Sequence, residues 1–162
     1  MTDDMRNTCC CFTGHRPQFL KRPEDDIKAD LESSILQAIA EGYTTFITGM
    51  ACGVDIWAAE IVLRLKESSH PELHLVAAVP FSGFNNAWDE DWKQQYCTIL
   101  SRAEYAEVLG PAFFRGIYQK RNEWMVDHSS KVIAIYNGKS GGTGNTIRYA
   151  RRRKVPVVLL EG

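Results

Sequence analysis

The stretch Thr44–Glu60, TTFITGMACGVDIWAAE, decides the fold class. Tyr43 to Thr48 is a short run of β-branched and aromatic residues, the composition of a strand, and the apolar positions from Val54 onward recur at helical spacing. Between them lies a turn bounded by Gly49 and Gly53. Glycines there can take positive φ and admit a ligand to the backbone, while the free N–H groups opening the next helix attract an anion. A phosphate suits that place. The same glycines would also serve a tight strand-to-helix connection with no ligand. A second glycine turn, Gly141 to Asn145, tips the reading toward phosphate.

The same alternation runs outward in both directions. Thr8–Thr13 reads as the first strand, ending in the loop Gly14-His15-Arg16-Pro17. Ile27, Leu31, Ile35, Leu36 and Ile39 predict an amphipathic helix over Ile27–Glu41, stopped by Gly42. After the helix at Val54–Glu67, Leu73–Val79 is a nearly continuous apolar strand of the kind buried on both faces. Phe81–Trp92 reads as a loop entering a helix that runs to Ala103. A fourth strand at Tyr105–Leu109, a helix at Tyr118–His128 and a fifth strand at Lys131–Tyr136 follow. The loop Asn137–Gly144 then opens a helix over Asn145–Lys154, and Val157–Leu160 is the last strand. Parallel neighbours need crossover connections, so this order predicts a Rossmann-like three-layer α/β/α sandwich with a mainly parallel sheet.

At 162 residues the chain is read as one domain, residues 1–162, large enough to bury its own core. Nineteen Lys and Arg against 20 Asp and Glu give a net charge of −1, so no global field draws in nucleic acid or an anionic membrane. The polar, acidic start MTDDMRN lacks the form of a signal peptide, and no apolar run reaches the ~20 residues that span a bilayer. A cytoplasmic protein is expected. Cys9, Cys10 and Cys11 are adjacent; neighbouring strand residues point to opposite faces, a poor chelate, so the run is read as reduced and buried rather than as a metal site. No metal is assigned.

In open α/β sheets, ligands sit beyond the carboxyl ends of the strands, where strand order switches. The polar candidates all follow strand ends. Gly14, His15 and Arg16 follow the first, Gly49 to Asp55 the second, and Gly141, Gly142, Thr143, Gly144, Asn145 and Thr146 the fifth. The two glycine loops offer N–H groups, Arg16 a bidentate fork, His15 a phosphate donor or proton carrier, and Asp55 or Glu60 an acceptor for ribose hydroxyls. Arg121 and Asn122, near a helix start, are a further charge partner and a base or ribose contact. Phe81 and Trp88 suit either base stacking or core packing. Arg148, Arg151, Arg152, Arg153 and Lys154 form the one concentrated positive run, which complements a helix C-terminus or, alternatively, binds nucleic acid.

At these residues the chain resembles the SLOG superfamily, which contains the bacterial DNA-processing protein A and the plant "Lonely guy" cytokinin-activating enzymes, and within it the YpsA-like family. The likeness rests on TGHRP at 13–17, TGMACGVDIWAAE at 48–60, Pro80 and Phe81 with Trp88 beyond, RNEWMVD at 121–127 and GGTGNT at 141–146. It implies a Rossmann-like fold and a nucleotide-derived ligand such as NAD, ADP-ribose or AMP. It also implies pairing through surface helices, hence a homodimer. "Lonely guy" enzymes carry P-G-G-x-G-T-x-x-E, whose glutamate takes part in N-glycosidic cleavage. Here Ser140 stands for the proline, Asn145 for the threonine and Arg148 for the glutamate. An arginine stays protonated and cannot replace that carboxylate. The expected function is therefore binding of a nucleotide-derived ligand in a sensing or regulatory role. Two alternatives are an N-glycosidic hydrolase using Glu60 or Asp55, and a single-stranded DNA binder using the arginine run.

Overall fold

A computed structural model describes residues 3–162; Met1 and Thr2, part of the polar N-terminal stretch, lie outside the described residues. A one-turn helix α1 (Asp3–Arg6) precedes β1 (Cys9–Gly14), and α2 (Glu24–Ala40), β2 (Thr45–Thr48), α3 (Val54–Ser68), β3 (His74–Val79), α4 (Glu90–Arg102) and β4 (Tyr105–Val108) follow. The chain closes with α5 (Ile117–Asp127), β5 (Lys131–Tyr136), α6 (Gly142–Arg152) and β6 (Val157–Glu161). All five strand pairings are parallel, in the order β4-β3-β2-β1-β5-β6. The direction of winding reverses beside β1, whose neighbours are β2 and β5. That pair of strand ends, β1 and β5, is the topological switch point where a crevice must open.

Strand residues alternate between two cores. Cys10, Phe12, Phe46, Leu75, Ala77, Ile133 and Ile135 face α2, α3 and α4. Cys9, Cys11, Ile47, Val76, Ala78, Val132 and Ala134 face α5 and α6. The three adjacent cysteines thus divide between opposite layers, all buried, and burial pushes the Cys11 thiol up to about 12. They act as small apolar residues. α3 is apolar on almost every side, because it lies between α2 and α4 and on the sheet at once.

Two boundaries differ from the sequence reading in ways that matter for the site. Gly142, Thr143 and Gly144 form the first turn of α6, so the loop ends at Gly141 and not at Gly144. Three residues without bulky side chains can still wind once a long helix follows. The loop after β1 also tightens into a 3-10 turn at Pro17–Phe19, with proline at its first position.

The β1 loop and the start of α3 press together through two glycines. A Cβ on Gly14 would lie 2.5 Å from Val54 Cγ2, and one on Gly53 2.8 Å from Pro17 Cδ, with Gly53 at φ 93°. Gly14→Ala is expected to cost about 1–3 kcal/mol through overpacking, which for a chain of this length lowers Tm by roughly 2–4 °C per kcal/mol. Thermal unfolding of the variant tests this, and an unchanged Tm would show that the two segments are not in forced contact.

Candidate functional site

A cavity of about 490 Å³ opens over the carboxyl ends of β1 and β5. Its walls come from the β1 loop, the β2–α3 turn, the β5–α6 loop and one face of α5. On that face Tyr118, Arg121, Asn122 and Met125 recur at i, i+3, i+4 and i+7, the spacing of a single helical stripe.

Of the residues singled out from sequence, Gly14, His15, Arg16, Asp55, Arg121, Asn122, Gly141, Gly142 and Thr143 line this cavity. Others do not. Gly49 lies beneath it, where a Cβ would stand 2.7 Å from Asp55 Oδ2 and 3.0 Å from Arg121 Nη1. Gly53 receives Pro17. The first glycine turn therefore uses its glycines for internal packing, and its cavity-facing members are Ala51 and Asp55. Gly144 packs against the Tyr136 hydroxyl, 3.3 Å from where its Cβ would be, and Thr146 turns its hydroxyl back to the Gly142 carbonyl at 2.9 Å. Asn145 is exposed and accepts from Arg148. Glu60 is the clearest correction: one and a half turns into α3, it lines grooves that α3 forms with α2 and α4, away from the cavity. Burial raises its carboxyl, but no functional group of the cavity is near it to use that shift.

The floor is a tightly bonded polar cluster. Thr48 Oγ1 donates to the Asp55 carbonyl at 2.8 Å, the Met50 N–H donates back to Thr48 Oγ1 at 3.2 Å, and the Ala51 N–H reaches Asp55 Oδ2 at 3.2 Å. Arg121 donates from Nη1 to the Gly49 carbonyl and from Nε to Asn122 Oδ1, the latter at 2.8 Å. Both charged residues are buried, Asp55 6% and Arg121 5% exposed. Loss of water raises the Asp55 carboxyl, with the Arg121 charge opposing, and loss of water lowers the Arg121 guanidinium, with Asp55 opposing. Asp55 Oδ1 is buried and, among the described residues, has no hydrogen-bond partner.

The upper wall is cationic and rich in donors. The first α6 N–H with an intrahelical acceptor is that of Asn145, bonded to the Gly141 carbonyl at 2.9 Å, so the N–H groups of Gly142, Thr143 and Gly144 have no carbonyl within the helix. Space around Gly141 and Gly142 is open, with nothing within 4 Å of a built Cβ. Arg16 and Lys139 stand on the rims. His15 stacks on Tyr136 at 5.5 Å, its Nε2 is buried without a partner among the described residues, and burial holds its imidazole below the usual range. Asn137 links the two loops, donating from Nδ2 to the Phe19 carbonyl and accepting from the Lys139 N–H, each at 2.9 Å.

Sequence reasoning missed Lys139, Tyr118 and Phe19, all of which line the cavity. Lys139 sits inside the NGKSGGTG loop and was open to notice. Tyr118 and Phe19 carried no such signal. Among the described residues, no three His, Cys, Asp or Glu side chains converge as metal ligands, and no helix is long and apolar enough to cross a membrane.

Removing the Arg121 charge isolates the floor. Arg121→Met leaves Asp55 buried without its counter-charge and is expected to cost about 3–5 kcal/mol at pH 7. Without the guanidinium the Asp55 carboxyl rises further, so its proton returns sooner on acidification and the loss shrinks toward pH 4. Denaturant unfolding at the two pH values measures both effects, and a loss independent of pH would mean that Asp55 is not the uncompensated group.

The profile of the YpsA family, described as the YspA SLOG family, matches residues 10–155. The SPbeta prophage-derived protein YoqJ of Bacillus subtilis is 34% identical over 148 residues, 84% of each chain. A UPF0398 protein of Halalkalibacterium halodurans is 31% identical over 131 residues, 79% of this chain and 69% of its own. Among solved structures, DNA processing protein A from Helicobacter pylori, described with its single-stranded DNA binding mode, superposes with a TM-score of 0.65 at 21% identity over 98% of this chain and 68% of its own. The Streptococcus pneumoniae protein of that name gives a TM-score of 0.68 at 16% identity over 99% of this chain and 52% of its own. These two likenesses concern the fold alone. With the profile spanning nearly every element from β1 to the end of α6, the chain belongs to the YspA SLOG family.

Proposed function

We propose that the cavity over β1 and β5 binds a nucleotide-derived ligand, of the class of NAD, ADP-ribose or a nucleoside phosphate, in a sensing or regulatory role. The observation that carries this reading is the convergence on one cavity of the α6 N-terminus, Arg16 and Lys139 with a buried carboxylate oxygen that lacks a partner. Phosphate oxygens belong at the N–H groups of α6, where the helix dipole and open backbone favour negative charge. Asp55 Oδ1, an acceptor at the floor, suits a ribose hydroxyl. The ligand would then lie across the switch point with its anion over β5 and its sugar over β2.

The hydrolytic alternative has one observation in its favour. A buried Asp55 whose carboxyl is raised has the character of a general acid. Against it, the position that matches the "Lonely guy" glutamate is Arg148, exposed on α6 and bonded to Asn145. Binding without consumption is therefore the favoured outcome. The single-stranded DNA alternative draws on the likeness to DNA processing protein A. The arginine run, however, lies at the C-terminal end of α6, roughly 15 Å along the helix from the cavity, where Arg153 pairs with Asp127 at 3.2 Å.

Calorimetry and product analysis with NAD, ADP-ribose and AMP separate these readings. Gly142→Asp places a carboxylate at the α6 N-terminus, which suits the dipole yet occupies the anion position. The variant is expected to keep or slightly raise Tm while losing about tenfold or more in ligand affinity. Ligand affinity unchanged in Gly142→Asp would remove the phosphate assignment. Release of free base by the unmodified protein, abolished in Asp55→Asn, would move the function to hydrolysis. A DNA affinity that falls steeply with salt and is lost in Arg151→Ala with Arg152→Ala would favour the third reading.

A further inference from the structure

The cavity has an aromatic margin on its α5 side. Tyr118, in the first turn of α5, lines the mouth and is 39% exposed. Its ring centroid lies 5.9 Å from Phe84, 5.9 Å from Phe113 and 6.2 Å from Phe81. Phe113 in turn lies 5.8 Å from Phe81 and is 61% exposed. Behind them Trp88 packs edge-on to Phe84 and to Tyr96, at 5.1 and 5.4 Å. The rings therefore form one continuous ledge, anchored in the core on one side and open to the cavity mouth on the other.

The ledge differs from a scattered set of exposed apolar residues in its support and its position. Tyr118 is held by three neighbouring rings, so a planar ligand that stacks on it immobilises little that is not already fixed. Tyr118 also stands one turn above Asn122 and on the same face as Arg121, which places it roughly 5 Å along α5 from the polar floor. Anion donors on the α6 side and a flat π surface on the α5 side match a molecule that is charged at one end and aromatic at the other. Asn122 sits between, its Oδ1 engaged by Arg121 so that its amide Nδ2 is left as the donor.

We propose that Tyr118, backed by Phe113, is the platform on which the heterocyclic base of the nucleotide ligand stacks. The assignment rests on the phosphate-binding reading above and adds the part of the ligand that the loops do not touch. It also relocates base stacking from Trp88, which packs against the core, to Tyr118 on α5.

Titration calorimetry with AMP and with ribose 5-phosphate, which lacks the base, tests the assignment on the intact chain. Tyr118→Ala is expected to weaken AMP about tenfold or more while leaving ribose 5-phosphate unchanged, and Tyr118→Phe, which keeps the ring, is expected to bind AMP as the unmodified protein does. Phe113→Ala, at an exposed loop position that does not threaten the fold, is expected to weaken AMP to a smaller extent. If Tyr118→Ala binds AMP normally, or weakens both ligands alike, the platform is overturned and the phosphate site stands. If the unmodified protein binds neither ligand, the phosphate-binding reading itself has failed. Sedimentation of the same variants closes the remaining case: a dimer that dissociates in Tyr118→Ala and Phe113→Ala with AMP affinity unchanged would make the ledge an interface between copies and overturn its role in binding.

Discussion

The buried guanidinium of Arg121 is the constraint on which the rest of this end of the molecule depends. It arises from α5, on one layer of the sandwich, and donates to the Gly49 carbonyl at the end of β2, in the turn that leads to the opposite layer. Few side chains can make that reach. The cost of burying the charge is large, and Asp55 offsets it from the first turn of α3 without removing all of it, since both groups remain displaced from their usual ionisation. The packing consequence is a fixed floor. With Gly49 offering no Cβ to interfere, the β2–α3 turn and α5, 72 positions apart at Gly49 and Arg121, are held together below the cavity.

That floor explains why the glycines of the two turns have different duties despite their similar appearance. In the β2–α3 turn the glycines serve protein contacts: Gly49 admits the Asp55 and Arg121 side chains, and Gly53 admits Pro17. In the β5–α6 loop, Gly141 and Gly142 meet nothing and leave their backbone open. One turn is closed by its own carboxylate, Ala51 N–H to Asp55, at 3.2 Å. The other is braced only at its start, where Asn137 accepts from the Lys139 N–H at 2.9 Å, and is open around Gly141 and Gly142 among the described residues. In the second, positive φ values at Gly138 (85°) and Gly141 (147°) set the path of the loop and leave its backbone facing the cavity.

The fold was legible from periodicity because its physics is local. Apolar runs such as LHLVAAV and KVIAIY announce doubly covered strands, and alternating side chains divide Cys9, Cys10 and Cys11 between layers with no knowledge of what covers them. Placing polar groups at strand ends also requires only the order of elements. What the sequence could not convey is rotation about a helix relative to its neighbours. Asp55 and Glu60 lie on one helix, five residues apart, and that separation turns Glu60 to the groove between α3 and α4 while Asp55 faces the floor. Tyr118 was equally hidden, since nothing in its neighbourhood separates a core aromatic from one at a cavity mouth. The start of α6 was misplaced because glycines weigh against helix in isolation, whereas here the tertiary fold winds them into the first turn.

The two ends of α6 show how a nearly neutral chain can still present opposite chemistry. Its N-terminus brings bare N–H groups to the cavity, and its last turn carries Arg151 and Arg152, followed by Arg153 and Lys154. The cations complement the carbonyl end of the dipole, and the donor end faces the cavity. Some of that positive run is already engaged, Arg153 by Asp127 and Arg152 by the Tyr149 ring at 5.6 Å, while Tyr149 itself donates to Asp127 Oδ1 at 2.9 Å. A helix arranged this way presents a positive end without a surplus of basic residues. The donors at that end are backbone groups that do not titrate, so their polarity stays the same while Asp55 and His15 change their ionisation.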